Sequence, residues 1–153
     1  MKVSSPAKSM TLRIVKSEWI KLRRHGENTY PHECCGVLLG TLEADGTKIV
    51  QTAVRCGNQR SDSPRNRYVI DPRELLRIQR EARERFQDIV GFYHSHPQRP
   101  AHWSLTDLAE AHWTGCSYVI TSVMNGAATE TNSFELVVEN DSTSFREEEI
   151  RLQ

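Results

Sequence analysis

The sequence has no excess of charge of either sign: 20 Lys and Arg stand against 20 Asp and Glu over 153 residues. Nucleic acids and anionic membrane surfaces select a strongly basic face, so neither is expected as the main partner. No apolar run approaches the roughly 18 residues of a membrane span. The first ten residues, MKVSSPAKSM, lack the apolar stretch of a secretory signal. A cytoplasmic location is the expectation. Cysteines are few, at positions 34, 35, 56 and 116, and none forms a C-x-x-C pair. Adjacent Cys34 and Cys35 alternate across a strand, point to opposite faces and cannot easily bridge. Reduced, partly buried thiols are therefore expected. Eight Gly and six Pro form no low-complexity tract, and no internal repeat is visible. A chain of this length reads as one domain, and it buries enough surface to fold without a disulfide or structural metal.

Residues 1–10 read as a loose tail and 11–153 as the domain. LRIV (12–15) suggests a short first strand. A helix is expected from Ser17, whose apolar residues Trp19, Ile20 and Leu22 stand among Lys and Arg, ending near Gly26 and before Pro31. CGVLLGTL (35–42) and KIVQTAVRC (48–56) flank Ala44-Asp45-Gly46, a hairpin signal. GNQRSDSPRNR (57–67) reads as loop and YVID (68–71) as a short strand. Asp71 then caps a helix with Pro72 in its first turn, and Leu75, Ile78, Ala82 and Phe86 recur at helical spacing. DIVGFYHSH (88–96) passes from apolar to polar, as a buried strand leading into a site would. A helix from SLTDLAEAHW and strands from SYVITSV, SFELVVEN and SFREEEI follow. This order predicts an α/β or α+β sheet with helices packed on it.

The chemistry concentrates in Tyr93-His94-Ser95-His96-Pro97 and, after a short loop, Ser104-Leu105-Thr106-Asp107. Residues i and i+2 of a strand share a face, so His94 and His96 can aim both imidazoles at one point. Imidazole is the commonest zinc ligand, and Asp107 follows far enough downstream for the loop to return a carboxylate. Three protein ligands leave a fourth position open, as in catalytic zinc sites. Alone, H-x-H is a weak signal, and Ser104-x-x-Asp107 is equally a capping-box helix start. Their conjunction at fixed spacing carries the reading. Upstream, Glu33 precedes the Gly-bearing strand CGVLLG, as a general base from a neighbouring strand would. The run His32-Glu33-Cys34-Cys35 is not a zinc deaminase pattern, which needs H-x-E and P-C-x-x-C. H-E-x-x-H, G-x-S-x-G and Walker A motifs are absent as well.

Glu33 … His94-Ser95-His96-Pro97-x6-Ser104-x2-Asp107 resembles the signature of the JAMM (MPN+) zinc metallopeptidases. The likeness extends through YPHECCGVLLG, NRYVIDPRELL, VGFYHSHP and SYVITSV to residues 12–150, and is strongest with the stand-alone bacterial branch. Proteins of the RadC type carry a similar motif, but the HECCG segment and short layout favour the peptidases. The resemblance implies a central mixed β-sheet flanked by helices. It implies zinc held by His94, His96 and Asp107, with Glu33 as proton carrier and Ser104 as oxyanion donor. It also implies cleavage after the C-terminal Gly-Gly of a ubiquitin-like protein; one enzyme of the branch releases cysteine from a ubiquitin-like sulfur carrier. A sulfur-carrier protein or its C-terminal adduct is the expected partner, bound as an extended tail against an edge strand, with CGVLLG a candidate. Two other functions compete: a metal-free MPN-type interaction module and a zinc hydrolase of small acylated amines.

Overall fold

A computed structural model describes residues 10–59 and 68–153. The expected tail, Met10 apart, and most of the 57–67 loop lie outside them. The first strand, β1 (Thr11–Ile14), leads into helix α1 (Lys16–Thr29). Its N-cap is Val15, without a side-chain hydrogen bond, so Ser17 sits inside the first turn and not at the cap. The helix ends before Pro31 as expected, three residues past Gly26. The hairpin forms as β2 (Cys35–Leu42) and β3 (Lys48–Cys56). Its turn is closed by Glu43 N–H donating to Thr47 O, with Gly46 at φ 93°.

Tyr68 to Asp71 do not form the predicted strand. They run extended without a ladder partner: Gln59 N–H donates to Val69 O, and Asn58 Oδ1 accepts from Val69 N–H. Helix α2 (Pro72–Glu84) starts as the sequence indicates, with Asp71 Oδ1 accepting from Arg73 N–H at 2.9 Å. The remaining elements are β4 (Asp88–Pro97), the short α3 (Leu105–Glu110), β5 (Ser117–Met124), β6 (Ala127–Glu139) and β7 (Ser142–Leu152).

The sheet corrects the expected fold class. A helix-flanked α/β sheet has two free edges, but these seven strands close into a barrel in the order β1-β3-β2-β4-β5-β6-β7. Closure rests on β1, which pairs in parallel with β3 through Leu12, Arg13 and Ile14 and with β7 through all four of its residues. A closed barrel has no edge strands. In particular β2 is hydrogen-bonded to β3 along its length and to β4 from Cys35 to Gly40, so it cannot receive an extended tail. The mixed character is retained: β4 and β5 are parallel, while β2–β3, β2–β4, β5–β6 and β6–β7 are antiparallel.

Strand β2 is buried on both faces, and its alternation splits the core. Cys35, Val37 and Leu39 pack with Phe92, Tyr118, Leu136 and the buried face of α2. Cys34 and Leu38 turn the other way, toward Leu12, Ile14, Val50, Tyr93, Val119 and Leu22 of α1. The four cysteines are free and buried, as their spacing suggests. Between strands the backbone leaves little room: a Cβ on Gly36 would stand 2.1 Å from the Tyr93 ring. Among the described residues no helix is long and apolar enough to cross a membrane.

Candidate metal centre

Strand β4 carries two ligand-bearing side chains because its last residues outrun β2. From Gly91 to Pro97 it pairs with β5, but its ladder with β2 stops at His94 opposite Cys35. His94 and His96, two apart, turn to the same side, and their Nε2 atoms are 3.2 Å apart. Both side chains are essentially inaccessible to solvent. Between the two histidines, Ser95 holds the neighbouring segment: its Oγ accepts from Cys34 N–H at 2.8 Å. That contact fixes the chain immediately after Glu33.

The third group arrives from α3. Ser104 Oγ accepts from Asp107 N–H at 3.0 Å, and Asp107 Oδ2 accepts from Ser104 N–H at 2.9 Å, a complete capping box. The same carboxylate faces the strand. Asp107 Oδ1 lies 3.3 Å from His94 Nε2, and Oδ2 lies 3.1 Å from His96 Nε2. Helix capping and ligand placement therefore use one turn, and neither reading of S-x-x-D displaces the other. Capping occupies a lone pair of Ser104 Oγ and leaves its O–H proton free to donate.

The donor set fits a small divalent cation. His96 Nδ1 donates to Pro100 O at 2.9 Å, which leaves Nε2 as a bare lone pair. Three electron-rich atoms thus converge, and at most one imidazole proton, on His94 Nε2, is shared among them. Ligands about 2.0–2.1 Å from a tetrahedral zinc stand about 3.3 Å from one another, close to the 3.1–3.3 Å separations found. Burial would raise Asp107, but the hydrogen bond from His94, together with that from Ser104 N–H, holds the carboxyl well below the usual range. Burial lowers His94, so its imidazole is neutral and able to ligate.

Glu33 completes the group. It is 2% exposed, and one oxygen lies within 4.8 Å of ligand atoms of both His94 and His96. Among the described residues neither carboxylate oxygen has a hydrogen-bond partner. Burial, with smaller contributions from Asp107 and Glu110, raises its pKa to about 8 against the opposing pull of Arg99. A buried carboxylate without hydrogen bonds is costly. A base poised near neutrality is what proton transfer to and from water requires.

Two neighbours escaped sequence reasoning. Tyr68 stacks on the His94 ring, with centroids 4.6 Å apart. Arg99 brings a guanidinium nitrogen to 3.7 Å from Glu33 Oε1; it is the sole arginine between the two halves of the motif, a signal available in the sequence. The cysteines lie outside the chemistry. Burial pushes Cys34 and Cys116 up to about 11 and Cys56 to about 12, with Cys35 higher still, so none supplies a thiolate near neutral pH. His102 is exposed and stacks on Trp103, away from the ligand set.

A family model of prokaryotic homologs of the JAB domain matches residues 16–137, a span that includes every residue of this centre. The chain belongs to the prokaryotic JAB-domain family. Within it, the chain is similar to the desampylase of Haloferax volcanii, with 39% identity over 92 residues. That match covers 60% of the chain and 63% of the relative's length. Two solution structures share the fold. A protein from Desulfitobacterium hafniense superposes with a TM-score of 0.77 at 29% identity, over 93% of this chain and 92% of that one. A protein from Salinibacter ruber gives 0.70 at 36% identity, over 92% and 91%. This JAB domain is thus characterised over nearly its whole length by fold, and over most of it by family.

Proposed function

We propose that this JAB domain is a zinc-dependent metallopeptidase that hydrolyses the amide bond after the C-terminal Gly-Gly of a ubiquitin-like sulfur-carrier protein. The observation that carries the reading is the convergence of His94, His96 and Asp107 at tetrahedral-edge distances beside a buried Glu33 whose carboxylate accepts no hydrogen bond from the described residues. The desampylase relative supports hydrolysis of a ubiquitin-like protein adduct as the reaction class.

His94 Nε2, His96 Nε2 and an Asp107 oxygen would hold the metal. Zinc so held supplies Lewis acidity and brings the pKa of water from 15.7 to about 7. Glu33 takes the proton of the attacking water on one carboxylate oxygen and passes it to the nitrogen of the leaving amine. Ser104 Oγ–H donates to the oxyanion that develops on the substrate carbonyl. His96, fixed through Pro100 O, and Asp107, fixed through Ser104 N–H, keep the geometry set before substrate arrives. Beside Asp107 lies a cavity of about 380 Å³ lined by Tyr68, Leu75, Phe92, Trp113 and Tyr118, an apolar seat for a substrate next to the reacting centre.

Selection of the Gly-Gly tail follows from steric access, since only glycine brings a backbone close without a Cβ. The test is a matched pair of carrier adducts ending in Gly-Gly and Gly-Val before the scissile bond, followed by mass spectrometry. Cleavage confined to the Gly-Gly adduct is expected. Equal turnover of both would contradict a glycine-selective groove and favour the hydrolase of small acylated amines.

A further inference from the structure

The loop between the two halves of the motif is pinned at four consecutive residues. Gln98 N–H donates to Val123 O at 2.8 Å, and Ser122 Oγ donates to Arg99 O at 2.5 Å. Pro100 O accepts from His96 Nδ1 at 2.9 Å, and Ala101 O accepts from Asn132 Nδ2 at 2.9 Å. The Arg99 backbone is thereby rigid. Its side chain, about one-third exposed, extends over the centre to within 3.7 Å of Glu33 Oε1, beyond hydrogen-bonding distance.

The guanidinium is incompletely used. Arg99 Nε and Nη2 are both shielded from solvent, and neither has a hydrogen-bond acceptor among the described residues; Nη2 is the nitrogen that stands 3.7 Å from Glu33 Oε1. These two N–H groups form one edge of the guanidinium and point in the same direction, the fork that matches a carboxylate bidentately. Leaving such donors buried and unmade is costly, and Glu33 Oε1, the carboxylate oxygen facing Nη2, stands beyond hydrogen-bonding distance, so both N–H groups can still take an acceptor.

We propose that Arg99 is a carboxylate-binding subsite for the leaving group. It selects substrates whose released amine carries a free α-carboxylate, over those that release an amide or a lysine ε-amine. This rests on the hydrolase reading above, because it takes the proton route through Glu33 as given. The geometry closes. Glu33 must reach the leaving nitrogen, and in an α-amino acid a carboxylate oxygen lies roughly 3 Å from that nitrogen by covalent dimensions alone. A carboxylate at that reach falls beside a guanidinium 3.7 Å from Glu33 Oε1. An ε-amine, four methylenes from its backbone, places no carboxylate there.

The experiment uses the full chain loaded with zinc and a ubiquitin-like carrier extended past Gly-Gly by one alanine, prepared as the free acid and as the C-terminal carboxamide. The wild type should favour the acid in kcat/KM by roughly 10- to 100-fold, the range of a charge-assisted pair. Arg99→Ala should bring the ratio close to one with zinc content unchanged, and Arg99→Lys should restore only part of it. Equal handling of acid and carboxamide by the wild type overturns the subsite and leaves the hydrolase reading standing. Should the wild type cleave neither, binding of the same pair to Glu33→Gln separates the two ideas. A preference for the acid that Arg99→Ala removes supports the subsite while the hydrolase reading falls; equal binding overturns both.

Discussion

Ser104→Ala separates two roles of one side chain, the helix cap seen in the structure and the oxyanion donor proposed above. As an N-cap, Ser104 Oγ accepts from Asp107 N–H at 3.0 Å, and its loss costs about 1 kcal/mol. For a domain of this size that corresponds to a fall of roughly 2–4 °C in Tm. As an oxyanion donor, the same hydroxyl contributes about 10²–10³-fold in turnover. The two effects are coupled through Asp107, since helix α3 is six residues long and Asp107 stands in its first turn. A loosened cap lowers metal affinity before it lowers the rate. The assay therefore measures turnover at saturating zinc, bound zinc and Tm on one preparation, with Ser104→Thr as the variant that keeps both acceptor and donor. The expected result is a turnover loss of at least about 100-fold in Ser104→Ala at full zinc content, largely recovered in Ser104→Thr. A Ser104→Ala protein that melts a few degrees lower but turns over within a few-fold of wild type would refute the catalytic role and leave only the cap.

Two further predictions concern stability. His25 is buried against the Tyr93 hydroxyl at 2.8 Å, and burial, reinforced by Arg55, pushes its pKa down to about 4. The unfolded state therefore binds the proton first as pH falls below about 6.5, so stability decreases between there and pH 4, by up to about 1.4 kcal/mol per pH unit. Urea midpoints from pH 7 to pH 5 should fall less steeply in His25→Gln than in wild type, and parallel slopes would count against the assignment. Lys48 Nζ is buried between Glu135 Oε1 at 2.6 Å and Glu148 Oε2 at 3.4 Å. Lys48→Met removes that cation from two buried carboxylates and should cost about 3–5 kcal/mol, read as a drop in Tm of roughly 6–20 °C; an unchanged Tm would show the cluster to be dispensable.

How far these features were legible follows from the kind of physics behind each. The HSH pair could be read because a strand has a side-chain period of two, and burial only sharpened it. The S-x-x-D turn and the Asp71-Pro72 start are capping rules that act over three or four residues, and both hold at the backbone. Barrel closure is different. It depends on which backbone edges meet, and nothing in Thr11–Ile14 records that they pair with both Lys48–Val50 and Glu149–Leu152. The first half of β6, AATETNS, is polar and, Ser133 apart, exposed or half-buried, so its strand character comes from ladder hydrogen bonds with β5 and not from alternation. Tyr68–Asp71 shows the converse, a β-prone sequence held extended by loop residues. Tyr68 reaches the centre by tertiary packing across tens of residues, which no local pattern encodes, whereas Arg99 stands inside the motif and only its approach to Glu33 needed the fold.

The most direct test of the account is the metal content of the purified chain. Dialysed against trace zinc and assayed by elemental mass spectrometry, the wild type should hold about one zinc per chain, as a three-ligand site with one open position does. His96→Ala or Asp107→Ala should lose most of it, and Glu33→Ala, which removes a base and no ligand, should retain it. Zinc bound at full stoichiometry after His94, His96 and Asp107 are all replaced would contradict the assignment of the centre.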